Sequence, residues 1–203
     1  IAIGSDALGG AKDSTADSSQ HNTFIGVSSG NGAWVTAVSQ YNVAVGNYTL
    51  GGAMAGAVNN TAVGYEALSA ITTADNNTAV GFKALNSAET AQNNTAVGYL
   101  ALEELTFNGN SFNTAVGFEA GKELVGGIKN VFMGGYAGNV STDVDNTVII
   151  GYNAGAAVMT SDADGTIAVG FSALAGLTTG QYNTAIGFEA ASTMVNNDGI
   201  TAF

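Results

Sequence analysis

No cysteine, no proline and no arginine occur in this chain of 203 residues, and histidine occurs once. Without cysteine there can be no disulfide, no thiolate metal site and no cysteine nucleophile. Without proline, the turns must come from residues that accept left-handed backbone, and 29 glycines together with the many Asn and Asp residues are expected to supply them. Positive charge is scarce as well: four Lys/Arg stand against 16 Asp/Glu, for a net charge of −12. A phosphate backbone needs a basic footprint, so nucleic acid is not an expected partner, and an anionic membrane surface is disfavoured for the same reason. No apolar run approaches the ~18 residues of a membrane-spanning helix, so membrane insertion is not expected.

What the chain does have is a repeat. Asn-Thr-Ala-Val-Gly recurs along it, and the closing glycine falls at Gly4, Gly26, Gly46, Gly64, Gly81, Gly98, Gly117, Gly134, Gly151, Gly170 and Gly187, at intervals of 17 to 22 residues. A period of that size fits one coil of a β-solenoid. Each coil can bury its apolar side only against its neighbours, so stability is local along a rod. The reading is a single all-β repeat domain over residues 1–203, a parallel β-solenoid of about eleven coils and roughly 50 Å at ~4.8 Å per coil. Because the chain opens at Ile1-Ala2-Ile3-Gly4 and stops at Thr201-Ala202-Phe203, both ends read as cut within a repeat of a longer fibrous protein.

Aligned on the glycine, the preceding residue is apolar in every coil, as in Val45, Val63, Val80, Val97, Val116 and Ile150. Two places earlier stands a β-branched column: Thr61, Thr78, Thr95 and Thr114 interleave with Val43, Val131, Val148 and Ile167. Side chains alternate along a strand, so these two columns share one face, and the alanine column between them, broken by Phe24, Phe132 and Ile149, occupies the other. Both faces are apolar and both are expected to be covered. Four places before the glycine runs an asparagine column that includes Asn60, Asn77, Asn94 and Asn113, suited to an amide ladder from coil to coil. After the glycine come an aromatic column (Tyr65, Phe82, Tyr99, Phe118, Tyr152, Phe171, Phe188), then a variable position, then alanine in nine of eleven coils, then often leucine. The aromatic column reads as a contact between chains.

The stretch Asn60-Thr61-Ala62-Val63-Gly64-Tyr65-Glu66-Ala67-Leu68 and its echoes at 77–85, 94–102, 113–120 and 183–190 resemble the NTAxGxxAL repeats of trimeric phage tail fibres and related bacterial surface fibres. They are also similar to the NSVAIG repeats in YadA-like heads of trimeric autotransporter adhesins, and Asn146-Thr147-Val148-Ile149-Ile150-Gly151 comes closest to that form. The resemblance covers essentially the whole chain. It implies a left-handed parallel β-roll, a homotrimer of side-by-side chains, an extracellular place on a virion fibre or bacterial surface, and attachment to a cell-surface receptor as the role. The coils here are longer than those of the autotransporter heads, which predicts larger loops. A passive fibre spacer is the alternative reading. An ice-binding solenoid is a further one, disfavoured because one threonine per coil recurs and, sharing its face with the apolar column, reads as an inward or ladder residue.

Three groups of residues carry possible chemistry. Trp34 lies in the irregular stretch Val27 to Gln40 and, with Tyr41 and Tyr48, is a candidate for stacking on a glycan; packing of a long loop onto the rod is the alternative. Asp143 and Asp145 occupy the same place in one coil as Asp162 and Asp164 in the next, so stacking brings four carboxylates together, where a hard cation such as Ca²⁺ would relieve repulsion; a solvated acidic loop is the alternative. Catalysis finds no constellation. His21 has no nucleophile motif beside it and sits in a column with Tyr41 and Asn59, while Glu66, Glu119 and Glu189 are coils apart, so no enzyme is expected.

Overall fold

The computed structural model of the chain describes residues 1–10, 19–34 and 37–203. Twelve short strands, from Ala2–Ile3 to Thr201–Ala202, pair in parallel in chain order to form one sheet. Ten of them have three residues and define a β-solenoid of about ten turns, with a two-residue strand at each end. The register follows the repeat without a slip: Thr61 faces Thr78, Ala62 faces Ala79 and Val63 faces Val80, and Thr78 to Val80 face Thr95 to Val97 in turn. A second, two-stranded parallel sheet joins Ala91–Gln92 to Gly109–Asn110. Among the described residues there is no α-helix, only a 3-10 turn at Ser161–Ala163, and no helix long and apolar enough to cross a membrane.

Each strand turns its middle residue inward. Ala44, Ala62, Ala79, Ala96, Ala115, Ala168 and Ala185 are fully buried, whereas the flanking columns are half-buried or exposed, as in Val43 at 38% and Met133 at 43%. One sheet face is therefore covered by the chain's own coil, and the other is open in the single chain. The threonine column belongs to the open face together with the valines, so its reading as an inward residue is corrected: Thr61, Thr78, Thr95 and Thr114 point away from the core.

The interior is narrow, and this explains its composition. Against the strand alanines pack the buried alanines Ala67, Ala84, Ala101, Ala120, Ala137, Ala154 and Ala173, and the buried leucines Leu50, Leu68, Leu85, Leu102 and Leu174. Where a larger residue replaces the strand alanine, the leucine of the same coil is glycine. Phe24 is met by Gly30, Phe132 by Gly138, and Ile149 by Gly155. A Cβ on Gly138 would stand 2.4 Å from the Phe132 ring, and one on Gly30 would stand 2.6 Å from Phe24. Volume is thus exchanged between strand and turn positions, as close packing demands, and the Phe132 ring also takes the space beside Gly121 of the preceding coil, where a Cβ would stand 2.7 Å from it. The two coils that lack alanine three places after the glycine are neighbours, and their hydroxyls satisfy each other: Ser29 Oγ and Thr49 Oγ1 are 2.8 Å apart and buried.

The glycine that closes each strand is required by contact as well as by conformation. At Gly98 φ is +144°, and a Cβ would lie 2.1 Å from the Gly117 carbonyl oxygen of the next coil. Glycines and Asn/Asp do not carry the other turns alone, as the composition suggests they should. Leu68, Leu85 and Leu102, and also Glu66, Lys83 and Glu119, adopt positive φ between 50° and 54°. Each such residue costs roughly 1–2 kcal/mol. The leucines offset that cost by burying their side chains and donating backbone N–H to the next coil, from Leu68 to the Ala84 carbonyl and from Leu85 to the Ala101 carbonyl.

Candidate functional site

The buried asparagines lock each turn to the ones on either side. Asn77 Oδ1 accepts from the Asn94 backbone N–H at 2.9 Å and from Asn94 Nδ2 at 3.1 Å, while Asn77 Nδ2 donates to Asn60 Oδ1 and to the Ala91 carbonyl. Asn94 Oδ1 passes the pattern to the Asn113 backbone N–H, and Asn113 Oδ1 passes it to Asn130. The glycines Gly64, Gly81, Gly98, Gly117, Gly134, Gly151 and Gly170 stack backbone on backbone beside this ladder, and Gly187 closes the column. A second ladder, on the surface, runs from Asn59 through Asn76 and Asn93 to Asn110 by side-chain amide bonds. These residues hold the scaffold, and the buried amides of Asn77 and Asn94 have both donors and both lone pairs engaged within it.

Just beyond the glycine corner an exposed aromatic row follows the rod. Tyr65, Phe82, Tyr99 and Phe118 stack with centroids 4.9–5.4 Å apart and planes within 12° of parallel. Tyr152, Phe171 and Phe188 continue in the same manner. Two members escape a column-by-column reading: Tyr48 and Tyr136 sit one place later in their coils, after Asn47 and Gly135, and enter the row at steep angles of 64–86° to their neighbours. The signal available in the sequence is a non-aromatic residue at the expected place followed directly by tyrosine.

The three residues proposed for glycan stacking are not brought together as one platform. Trp34 is buried, 3% exposed, packs edge-on against Phe24 and donates Nε1–H to the Gly30 carbonyl at 3.0 Å. Its role as an exposed binding residue is corrected. Glycine at position 30 opens room beside Phe24, and the long coil folds Trp34 over it. Residues 35 and 36 of that irregular stretch lie outside the described residues. Tyr41 is exposed and stacks flat on His21 at 5.1 Å, which gives the single histidine its place in a ring ladder. Tyr48 alone lines an open groove, formed with Ser28, Asn31, Gly51, Glu66 and Ser69.

In the acidic loops, Asp145 Oδ1 accepts from the Ile128 N–H at 2.7 Å and Asp164 Oδ1 accepts from the Asp145 N–H at 2.8 Å. Asp75 and Asp198 do the same for Val58 and Gln181, so these four aspartates form a column that holds the return loop. Asp143 and Asp162 are exposed. Among the described residues no three His, Cys, Asp or Glu side chains converge to hold a metal, so the Ca²⁺ reading of Asp143, Asp145, Asp162 and Asp164 gains no geometry. Burial raises the pKa of Asp164 above its ordinary 3.8, aided by the charges of Asp145, Asp143 and Asp162 and opposed by the bond from the Asp145 N–H. The native state therefore holds the Asp164 proton more tightly than the unfolded chain, and the stability tied to it is full below pH 3.8 and lost as pH rises through the higher native value. Asp164→Asn, which keeps the acceptor and removes the charge, is expected to raise the melting temperature at neutral pH. The gain should vanish in melts recorded below pH 3.8, where the wild-type carboxyl is already neutral.

No family model matches the chain, and neither a curated protein nor a solved structure does.

Proposed function

We propose that the chain is a non-enzymatic fibre module that works by attachment to a cell surface, as part of a virion fibre or a bacterial surface adhesin. In this reading three chains stand side by side as a left-handed β-roll and bury the open sheet face between them. The observation that carries the proposal is that face. Its outward columns are Val, Ile, Met and Thr over the whole sheet, and the exposed aromatic row lies one residue beyond the glycine corner. Strands of three residues over eleven strand-to-strand steps make a surface of about 50 Å by about 10 Å, roughly 500 Å² before the rings are added. That is already the size of the largest apolar patch on a typical monomer, which is often functional, and closed symmetry is the usual way to cover such a face. The flat-stacked rings, Tyr65 to Phe118 and Tyr152 to Phe188, suit such a contact better than they suit a sugar platform, because their faces already lie against the next ring. Attachment follows from multivalency: loops on three parallel chains reach one surface together, and weak contacts add through effective concentration.

Light scattering tests the assembly. The expected mass is three times the 20.2 kDa of the chain, and Val97→Glu, which places a charge on the open face, should shift it to one chain with the fold retained by circular dichroism. A wild-type monomer would sink the trimer. That outcome would favour the ice-binding reading instead, since the threonine column is on the outer face beside the valines, and thermal hysteresis would be the next measurement.

A further inference from the structure

The groove beside Tyr48 opens at a coil that lacks one side chain. Five places after the corner glycine, successive coils carry Gly9, Asn31, Gly51, Ser69, Asn86, Glu103, Lys122 and Asn139, and the space beside Gly9 is taken by the Asn31 side chain. At Gly51 that column loses its side chain, and a groove of about 330 Å³ opens across three turns. This is the lower end of the size range of small-ligand sites. On one side it has Ser28, Tyr48 and Glu66, and on the other Asn31 and Ser69, with Gly51 between them. Tyr48 is 45% exposed and is not sandwiched as Phe82 and Tyr99 are; among the described residues Tyr65 is the only ring against it, at 74°.

We propose that this groove is a saccharide site sized for one or two neutral pyranose rings. A pyranose offers an apolar C–H face and a rim of hydroxyls. Tyr48 supplies the aromatic surface for the first. The Glu66 carboxylate, the Asn31 amide and the Ser28 and Ser69 hydroxyls supply acceptors and donors for the second. The walls are rigid. Ser28, Tyr48 and Glu66 each hold positive φ, and each donates its backbone N–H to the preceding coil, Tyr48 to the Val27 carbonyl and Glu66 to the Asn47 carbonyl. Ser69 Oγ is fixed by Asn86 Nδ2 at 2.7 Å, and Glu66 is drawn to one side by Lys83 Nζ at 3.5 Å. Little ordering entropy remains to be lost on binding, which favours a shallow site. A carboxylate in the groove and a net charge of −12 select against acidic sugars. The site stands on its own geometry; its meaning as the receptor contact rests on the attachment reading.

Gly51 gives a clean test. Its φ is outside the left-handed region, and a Cβ there meets only the Ser69 and Tyr48 carbonyl oxygens, both at an ordinary 3.4 Å. Gly51→Gln therefore fills the groove without straining the turn. Saturation-transfer NMR with free glucose, galactose, mannose, N-acetylglucosamine and sialic acid is the assay, on the full chain. The expected result is binding of one or more neutral sugars with Kd on the order of 1 mM, no signal from sialic acid, and loss of about tenfold or more in affinity in both Gly51→Gln and Tyr48→Ala. Tyr182→Ala, on an exposed tyrosine near the other end of the rod, should bind as wild type. Failure of every neutral sugar to bind, or equal binding by folded Gly51→Gln, overturns the site. Whole-cell attachment is scored separately: sugar binding without attachment would overturn the attachment reading and leave the site standing.

Discussion

Asn77→Leu is expected to destabilise the middle of the rod by about 4 kcal/mol, because it strands several buried polar groups at once. The substitution removes the acceptor of the Asn94 backbone N–H and of Asn94 Nδ2, and the donor to Asn60 Oδ1 and to the Ala91 carbonyl. Asn77 and Asn60 are fully buried and Asn94 nearly so, so water cannot restore these bonds without opening the turn. Leucine has the heavy-atom count and branching of asparagine, but its methyls need about 3.5–4.0 Å where the amide makes contacts of 2.8–3.2 Å, so overpacking adds to the lost hydrogen bonds. In a solenoid the damage is local, since each coil rests only on its neighbours. Amide exchange should accordingly quicken at Asn94 and in the adjoining coils and stay slow near Asn130 and beyond. A uniform acceleration along the whole chain, or no change at all, would contradict the ladder as the element that fastens coil to coil.

The second large effect is expected from the exchange of volume between strand and turn. Gly138→Leu places a side chain where the Phe132 ring already lies, and a Cβ alone comes within 2.4 Å of it. Overpacking of this kind costs roughly 1–3 kcal/mol and rises when the neighbour has no room to move. Phe132 is fully buried, so it has little. Phe132→Ala alone should cost about 3–5 kcal/mol through the cavity it leaves. The double variant carries the alanine and leucine of Ala79 and Leu85 or Ala96 and Leu102, and a large part of both losses should be recovered, the remainder being the space that the Phe132 ring also fills beside Gly121. Leucine at positive φ is no obstacle, since Leu68, Leu85 and Leu102 hold that conformation in the equivalent place. Chemical denaturation of the four proteins gives the coupling energy directly. Simple additivity of the two losses would show that the pairing of Phe24 with Gly30, and of Ile149 with Gly155, does not arise from packing.

Much of the scaffold was open to reading from the residues in order. The interval of the glycines, the period-two alternation before each one and the asparagine four places ahead specify parallel strands in register, one per coil, because an in-register stack sets like residues side by side. Thr61, Thr78 and Thr95 are paired as that logic requires. The candidate binding residues were read less well. Trp34 has the exposure of a core residue, and nothing in its local sequence announces that Phe24 and Gly30, upstream in the same coil, form the surface it covers. Tyr48 looks like one aromatic among several until the absent side chain at Gly51 is seen beside it in space. Asp145 and Asp164 look like metal ligands when their loops are considered alone. Their partners are backbone N–H groups one coil earlier, which only the stacking brings within reach.

The repeat, the register and the ladder follow from the order of the residues, since they depend on which residues recur and at what interval. Which side of each strand is the inside is set by the packing of the folded coil. Alternation says that Thr and Val share a face and that alanine takes the other, but it carries no sign when both faces are apolar. The sign comes from closure. A coil of about seventeen residues encloses too little space for two β-branched columns. Alanine therefore goes in, threonine and valine go out, and an apolar surface is left open along the rod.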